Sequence, residues 1–398
     1  MRLPMSPRVW SKRLPGAMDD ARAMKIVQIC PYDLVRPGGV QAHVRDLAAW
    51  LERAGHQVRV VAPYPLDKAP LAGVDHCGRA VKAQLFGTGF EVSHARSRDR
   101  RALVASLRSW GAELVHLHTP WTPFMAWQVW RDLDLPTVTT FHATLPQDRT
   151  GGLAARALRR AARHFLTHSR AAIVPSATPL AHLRPQDAGV AAHVLPPAID
   201  LAPWQAAGAH LRRADGATDT EIVFLGRFEA RKGLGVLLGA WPEVAARLPG
   251  VRLTVAGGGP QEDLVHAAMQ GTAGERIRFV PSPDAESARR RVAEADLLVA
   301  PSLYGESFGL ILIEAMAAGT LPVAAANEGY RTVLTGPGER LLVPPGDAPA
   351  LAAKLIELCG DVSARRALTA WALPHALSFG VEATGPAFVE IYRDALQS

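Results

Sequence analysis

Short apolar runs alternate with longer amphipathic stretches along this chain, and the alternation occurs twice. Residues 25–30 (KIVQIC) form an apolar run, and after a loop residues 40–54 carry apolar side chains at helical spacing until Gly55. Residues 58–62 (VRVVA) have a strand's composition and stop at Pro63. Residues 114–117 and 137–141 repeat the pattern, with 173–174 and 194–195 as weaker versions, and 196–220, rich in Ala, Pro and Gly, reads as a linker. The rhythm then restarts. Residues 222–225, 253–256, 277–280, 297–300 and 322–325 are predicted strands, each leading into a helical stretch, and 381–397 predicts a last helix packing back on the first half.

A βαβα rhythm of this kind builds doubly wound parallel sheets, whose ligands sit in the loops at the carboxyl ends of the strands. The expected fold class is therefore α/β, with two Rossmann-like domains facing each other across a cleft: 24–198 together with 381–398, and 199–380. A length of 398 residues agrees, being too great for one ordinary core. Residues 1–23 lack the apolar segment of a signal peptide and offer later starts at Met5, Met18 and Met24, so a flexible extension or a misplaced start is expected there. Cys30, Cys77 and Cys359 are too dispersed for a disulfide framework or a cysteine metal cluster, which fits a reducing compartment. No apolar run reaches the roughly 18 residues that a membrane-spanning helix needs.

Charge changes the picture. Residues 1–200 carry 26 Lys and Arg against 15 Asp and Glu, whereas the remainder carries 18 against 22. The first half is thus expected to meet something anionic. His94, Arg96, Arg98, Arg100, Arg101 and Arg108 crowd around an apolar LVASL, and Arg156, Arg159, Arg160, Arg163 and Arg170 are interleaved with Ala and Leu. Arg156, Arg159 or Arg160, and Arg163 share one helix face, the pattern of a basic amphipathic helix at an anionic membrane surface; a solvated Arg-rich face has the same pattern. No base-stacking aromatics accompany these runs, so nucleic acid is not an expected partner.

Three loops carry the chemistry. In Pro31–Gln41 (PYDLVRPGGVQ), Gly38 and Gly39 directly precede a helix and allow a ligand close approach to its first N–H groups; a tight turn uses them equally. Neither GxGxxG nor an acid ending the second strand is present, which disfavours a dinucleotide-dependent dehydrogenase. In the second loop, Arg227 and Lys232 stand five apart, suited to bracket a diphosphate or to face solvent. In the third, Glu306 and Glu314 bracket Ser307, Phe308, Gly309 and Leu310 (GESFGLILIEAMAAGT), with Glu306 expected in a loop and Glu314 inside a helix starting near Phe308. That helix end faces an anion favourably, and Glu314, among apolar neighbours, needs a donor such as a ribose hydroxyl or an Arg. His142 ends a predicted strand and is placed to reach a ligand. His116 and His118 point the same way from one strand and offer two metal ligands, but no third is evident, so packing is the simpler role; Asp132-Leu133-Asp134 reads as a turn.

Together, PGGV, GR-x4-KG and E-x7-E over two Rossmann-like halves resemble glycosyltransferase family 4, of GT-B fold, across nearly all of residues 24–398, and within it the bacterial phosphatidylinositol mannosyltransferases. The resemblance implies a retaining, metal-independent transfer of a hexose from a nucleotide-sugar, GDP-mannose or a UDP-sugar, to a membrane lipid such as phosphatidylinositol. It implies a peripheral protein on the inner face of the cell membrane. It also assigns positions: Tyr32, Gly38 and Gly39 beside the donor, Arg227 and Lys232 on its diphosphate, Glu306 on the sugar hydroxyls, and the amides of Ser307 to Leu310 over phosphates and sugar. Glu314 is implied at the ribose, His142 beside the anomeric carbon and Gln41 toward the acceptor. No cofactor and no metal are implied. The chain departs from those enzymes at positions that bear on acceptor and base: Glu91 and Gln147 replace basic residues, Pro283-Asp284-Ala285 and Ala288 an acid- and Lys-bearing loop, and Pro196-Pro197-Ala198-Ile199-Asp200 a PNGVD linker. A soluble acceptor, or a non-catalytic membrane- or polyanion-binding protein of the same fold, are the other classes the sequence fits.

Overall fold

The computed structural model describes residues 8–9, 22–85, 88–120, 122, 124–142, 153–211 and 219–397. The chain forms two compact units, Met1–Asp200 with Phe379–Ser398, and Leu201–Ser378.

Nine strands make the sheet of the first unit: β1 (Arg8–Val9), β2 (Lys25–Ile29), β3 (Gln57–Tyr64), β4 (Val74–Leu85), β5 (Thr88–His94), β6 (Leu114–His118), β7 (Thr137–Thr140), β8 (Ala171–Val174) and β9 (Ala191–Val194). They lie in the order β1-β9-β8-β7-β6-β2-β3-β4-β5, and every neighbouring pair is parallel except β4–β5. Strands β6, β7 and β8 are buried at every position, as parallel strands covered on both faces must be. The order reverses where β2 meets β6, so the loops after these two strands diverge and leave room for a ligand between them.

The last helix, Val381–Gln397, belongs to this unit. Its Phe388 and Tyr392 are fully buried among Ile26, Leu47, Leu114 and Val138. Gly385 permits its close approach to the Gly39–Arg53 helix, since a Cβ there would meet the Trp50 ring at 2.6 Å. Trp50 Nε1 donates to Glu382 at 2.8 Å across the same contact.

The second unit holds β10 (Thr220–Arg227), β11 (Val251–Gly258), β12 (Ile277–Pro281), β13 (Leu297–Ala300), β14 (Leu321–Ala325) and β15 (Leu342–Val343) in the order β12-β11-β10-β13-β14-β15, all parallel. Its order reverses between β10 and β13.

Three features differ from the reading of the sequence. The predicted linker contains a helix, Ala202–Leu211; its Pro203 sits in the first turn, where no backbone N–H is required, so proline is compatible with the helix start. An antiparallel hairpin, β4–β5, precedes the Ser97–Trp110 helix and was not predicted. Within the expected N-terminal extension, Arg8 and Val9 pair with His193 and Val194. Among the described residues no helix is long and apolar enough to cross a membrane.

Candidate active site

In the second unit, the loops after β10 and β13 are joined by charge. Lys232 Nζ donates to Glu306 at 2.7 Å and Arg231 Nη1 donates to the same carboxylate oxygen at 3.1 Å. Arg231 also pairs with Glu229 at 2.9 Å, and Glu229 with Arg227 at 2.7 Å. Five charged side chains therefore form one chain with three cations and two anions. The Glu306 side chain is only 15% exposed, whereas that of Arg227 is 55% exposed. Burial alone would raise the Glu306 pKa, but the Lys232 and Arg231 cations outweigh it and hold the carboxyl below its ordinary value.

Glycine sets this geometry. Gly233 ends the basic turn at φ 72°, and a Cβ there would lie 2.0 Å from the Pro301 carbonyl oxygen beyond β13. Gly329, in the Glu328–Val333 helix, lets that helix lie against the third loop, where a Cβ would meet the Glu306 carbonyl oxygen at 2.3 Å. Asn327 Nδ2 donates to the Ser302 carbonyl at 3.0 Å, and Tyr330 Oη shares a 3.0 Å hydrogen bond with Ser302 Oγ. Gly309 caps the Leu310–Ala317 helix, two residues later than the predicted start near Phe308. Phe308 and Gly309 are buried, Ser307 and Leu310 half-buried. Glu314 is half-buried on this helix between buried Ile313 and Ala315.

In the first unit, the equivalent loops meet through Tyr32 Oη and Thr122 Oγ1 at 3.2 Å. Gly38 caps the Gly39–Arg53 helix with extended backbone, and Gln41 Nε2 donates to the Asp33 carbonyl at 3.4 Å. Arg45 Nη1 donates to the Leu34 carbonyl at 2.6 Å and pins the loop from behind. His142 follows β7, and its Nε2 lies 3.1 Å from Nδ1 of His118 on β6. His118 Nε2 in turn faces Gln28 Oε1 at 3.2 Å. His43 stacks edge-on against both rings, with centroids 5.3 Å from His118 and 5.0 Å from His142. Burial and the neighbouring imidazoles push His118 and His142 well below the ordinary histidine pKa, and burial lowers His43 to about 4.

This arrangement can do specific chemistry: a cation-rich loop and a helix N-terminus at one sheet's reversal point, and neutral imidazoles at the other's. Residues 37–203 match the model of Glycosyltransferase Family 4, and residues 219–361 that of Glycosyl transferases group 1. The chain is 35% identical over 345 residues to phosphatidyl-myo-inositol mannosyltransferase of Mycolicibacterium smegmatis, covering 85% of each chain. It belongs to glycosyltransferase family 4. Sucrose-phosphate synthase of Thermosynechococcus elongatus is similar in structure, with a TM-score of 0.69, 25% identity and coverage of 93% of this chain and 98% of that one. Anabaena HepE in complex with UDP and glucose also has a TM-score of 0.69, at 18% identity, covering 93% of this chain and 99% of the other, and shares the GT-B fold.

For this family 4 glycosyltransferase the remaining expected positions sort by their surroundings. Arg96, Arg98 and Arg101 are exposed around the start of the Ser97–Trp110 helix. Arg100 is not available to a membrane as expected: it turns inward, 2.7 Å from Asp132 with its side chain 15% exposed. Asp132 itself lies in the Met125–Leu133 helix and only Asp134 caps that helix, so the DxD sequence is a helix end rather than a separate turn. Arg156, Arg159, Arg160 and Arg163 are exposed on the Leu153–Thr167 helix, opposite buried Ala162, Phe165 and Leu166. Asp284 accepts from Ser287 N at 2.7 Å and caps the Ala285–Ala293 helix. Gln147 lies outside the described residues. Sequence reasoning missed Arg231 as the second cation on Glu306, and missed His43 altogether. Its signal was a histidine on the apolar face of a predicted helix, between Val40 and Leu47.

Proposed function

We propose that this family 4 glycosyltransferase moves mannose from GDP-mannose to the inositol of phosphatidylinositol at an anionic membrane surface, with retention of anomeric configuration and without a metal. The observation that carries the reading is the Lys232–Glu306–Arg231 cluster at the reversal point of the second sheet. Breaking a glycosyl–phosphate bond develops negative charge on the departing diphosphate. Fixed cations and N–H dipoles aimed at that charge supply the largest catalytic term, and they cost no reorganisation at the moment of reaction. Arg227, Arg231 and Lys232 together with the amides of Ser307 to Leu310 fill that role, and two or three cations match the charge that a divalent ion otherwise neutralises. Glu306, kept ionised by its partners, accepts from hydroxyls of the transferred sugar, and Glu314 from the ribose. Tyr32 and Gly39 flank the donor, and Gln41 the acceptor.

His142, neutral at physiological pH, orients the acceptor hydroxyl rather than carrying positive charge next to a cationic anomeric carbon. A donor phosphate oxygen takes the acceptor proton on the same face, which preserves configuration. The exposed arginines of the Ser97–Trp110 and Leu153–Thr167 helices support a membrane-bound acceptor, each cation near an anionic surface contributing about 1 kcal/mol. The likeness to a phosphatidyl-myo-inositol mannosyltransferase supports the choice of sugar and lipid.

The test pairs binding with transfer. Thermal unfolding is followed with GDP, UDP and ADP at one common concentration, a ligand present at 100 times its dissociation constant adding about 2.7 kcal/mol of stability. Labelled GDP-mannose is then supplied with phosphatidylinositol vesicles. A guanine-selective shift and labelled lipid are expected. A uracil-selective shift, or donor hydrolysis with no labelled lipid, would overturn the donor or the acceptor respectively.

A further inference from the structure

Four histidines cluster in the first unit, His43, His116, His118 and His142, and they are not equivalent. His116 uses both ring nitrogens, Nε2 with Thr140 Oγ1 at 2.6 Å and Nδ1 with Tyr392 Oη at 2.7 Å. The other three are arranged differently. His43 Nδ1 lies 3.2 Å from the Ala198 carbonyl oxygen, which only accepts, so Nδ1 carries the proton and Nε2 is a bare lone pair. That Nε2 is fully buried and, among the described residues, has no hydrogen-bond partner. His118 Nε2 donates to Gln28 Oε1, leaving Nδ1 bare and turned to His142 Nε2. One ring nitrogen each of His43, His118 and His142 lie within 4.8 Å of one another.

We propose that His43, His118 and His142 form a binding site for a divalent transition metal of the zinc class, distinct from any requirement of sugar transfer. Three neutral imidazoles with one position left for water is a recurrent zinc coordination set, and imidazole also suits copper and nickel. The surroundings match what such sites need beyond the ligands. A metal-bound histidine ordinarily gives its other N–H to a carbonyl or carboxylate, which fixes the tautomer. Ala198 does this for His43 and Gln28 for His118. The orphaned lone pair of His43 gains a partner, the proton shared by His118 and His142 moves to Nδ1 of His142, and the metal takes its place. No net proton is released. Entry is through His142, which alone of the three keeps exposed surface. Because His142 is also the residue assigned beside the anomeric carbon, a bound metal removes it from the reaction; this inhibitory consequence rests on the proposed function, whereas the binding does not.

The experiment titrates Co2+ into the full-length, metal-stripped protein and follows the visible absorption of tetrahedral cobalt, with Zn2+ then displacing it. One equivalent of tetrahedral Co2+ is expected in the wild type. It should be lost in His43→Ala and weakened 10–100-fold in Gln28→Met, which removes only the partner of His118. His164→Ala, which breaks the exposed His164–His168 ring pair elsewhere in the unit, should change nothing. Melting curves without metal establish that each variant is folded. A wild type that binds no cobalt, or a stoichiometric signal that survives His43→Ala, would overturn the site. Neither result would touch the transferase reading, which stands or falls on donor and lipid alone.

Discussion

Tyr392 Oη and His116 Nδ1 share a 2.7 Å hydrogen bond that ties the last helix to β6 across 276 positions of sequence. Both residues are fully buried, so neither atom has water to turn to. Tyr392→Phe keeps the ring but orphans the imidazole nitrogen, and a loss of about 1–3 kcal/mol is expected in denaturant unfolding. Tyr392→Leu also opens space among Leu114 and Val138 and should cost more.

The chain of charges in the second unit predicts unequal effects. Lys232→Ala removes the 2.7 Å donor of a largely buried carboxylate and is expected to lower turnover 100- to 1,000-fold. Arg227→Ala removes a half-exposed cation whose partner Glu229 retains Arg231, and should cost distinctly less. Steady-state transfer rates separate the two. The folded-state pKa of Glu306 is depressed, so its ion pairs stabilise the protein above the ordinary value of 4.5 and are lost as pH falls through that range. Lys232→Ala should flatten the acid limb of the stability curve.

Close backbone approach makes two glycines irreplaceable. Gly233→Ala places a methyl 2.0 Å from the Pro301 carbonyl oxygen at a positive φ, and Gly329→Ala places one 2.3 Å from that of Glu306. Neither neighbour is a flexible side-chain end, so the loops must shift. Melting temperature and donor affinity should fall together in both variants. A substitution at Gly55, which has open space around it, should cost only its positive-φ strain.

Asp46 predicts the opposite of the usual carboxylate behaviour. Burial raises its pKa from 3.8 to about 6, against the opposing effect of the Asp200 N–H it accepts at 2.8 Å. A raised folded-state value means the native protein binds the proton more tightly, so stability from this group is present below about pH 4 and lost as pH rises to 6. Asp46→Asn preserves an acceptor for Asp200 N and should stabilise the protein at pH 7 by about 1–2 kcal/mol. The gain should vanish below pH 4.

Arg100 and Arg101 are sequence neighbours with different work. Arg101→Ser should weaken sedimentation with anionic vesicles and leave the melting temperature alone, because this side chain faces solvent. Arg100→Ser should lower the melting temperature modestly by removing the less exposed of the two cations on Asp132, Arg131 remaining at 3.0 Å, with little effect on vesicle binding.

Most of the sheet strands and the last helix were legible as apolar runs bounded by turn formers, and β6, β7 and β8 are buried on both faces; the two-residue β1 and β15 were not predicted. Nor was the β4–β5 hairpin. Its buried side chains include Cys77 and Ala80, small residues set among Asp75, His76, Arg79 and Lys82, so no hydrophobic alternation stands out. The loops of the site were legible by type, as Gly-rich and basic turns after strands. The partner choices within them were not. Arg231 and Lys232 are adjacent in sequence, and that both reach Glu306 depends on how Gly233 seats the turn against Pro301. His43 was hidden for a different reason: a polar ring on a helix's apolar face has meaning only once β6 and β7 bring His118 and His142 beside it.

The return of the chain to the first unit at Phe379 has a consequence for synthesis. Leu201–Ser378 is continuous, so every residue of that unit has been made before the ribosome reaches the final helix. The first unit begins earlier but lacks Phe388, Val389, Ile391 and Tyr392 until the second unit has been made in full. The half made first is therefore the half completed last. Released chains truncated after residue 378 should protect the second sheet from protease while leaving β2, β6 and β7 open to it.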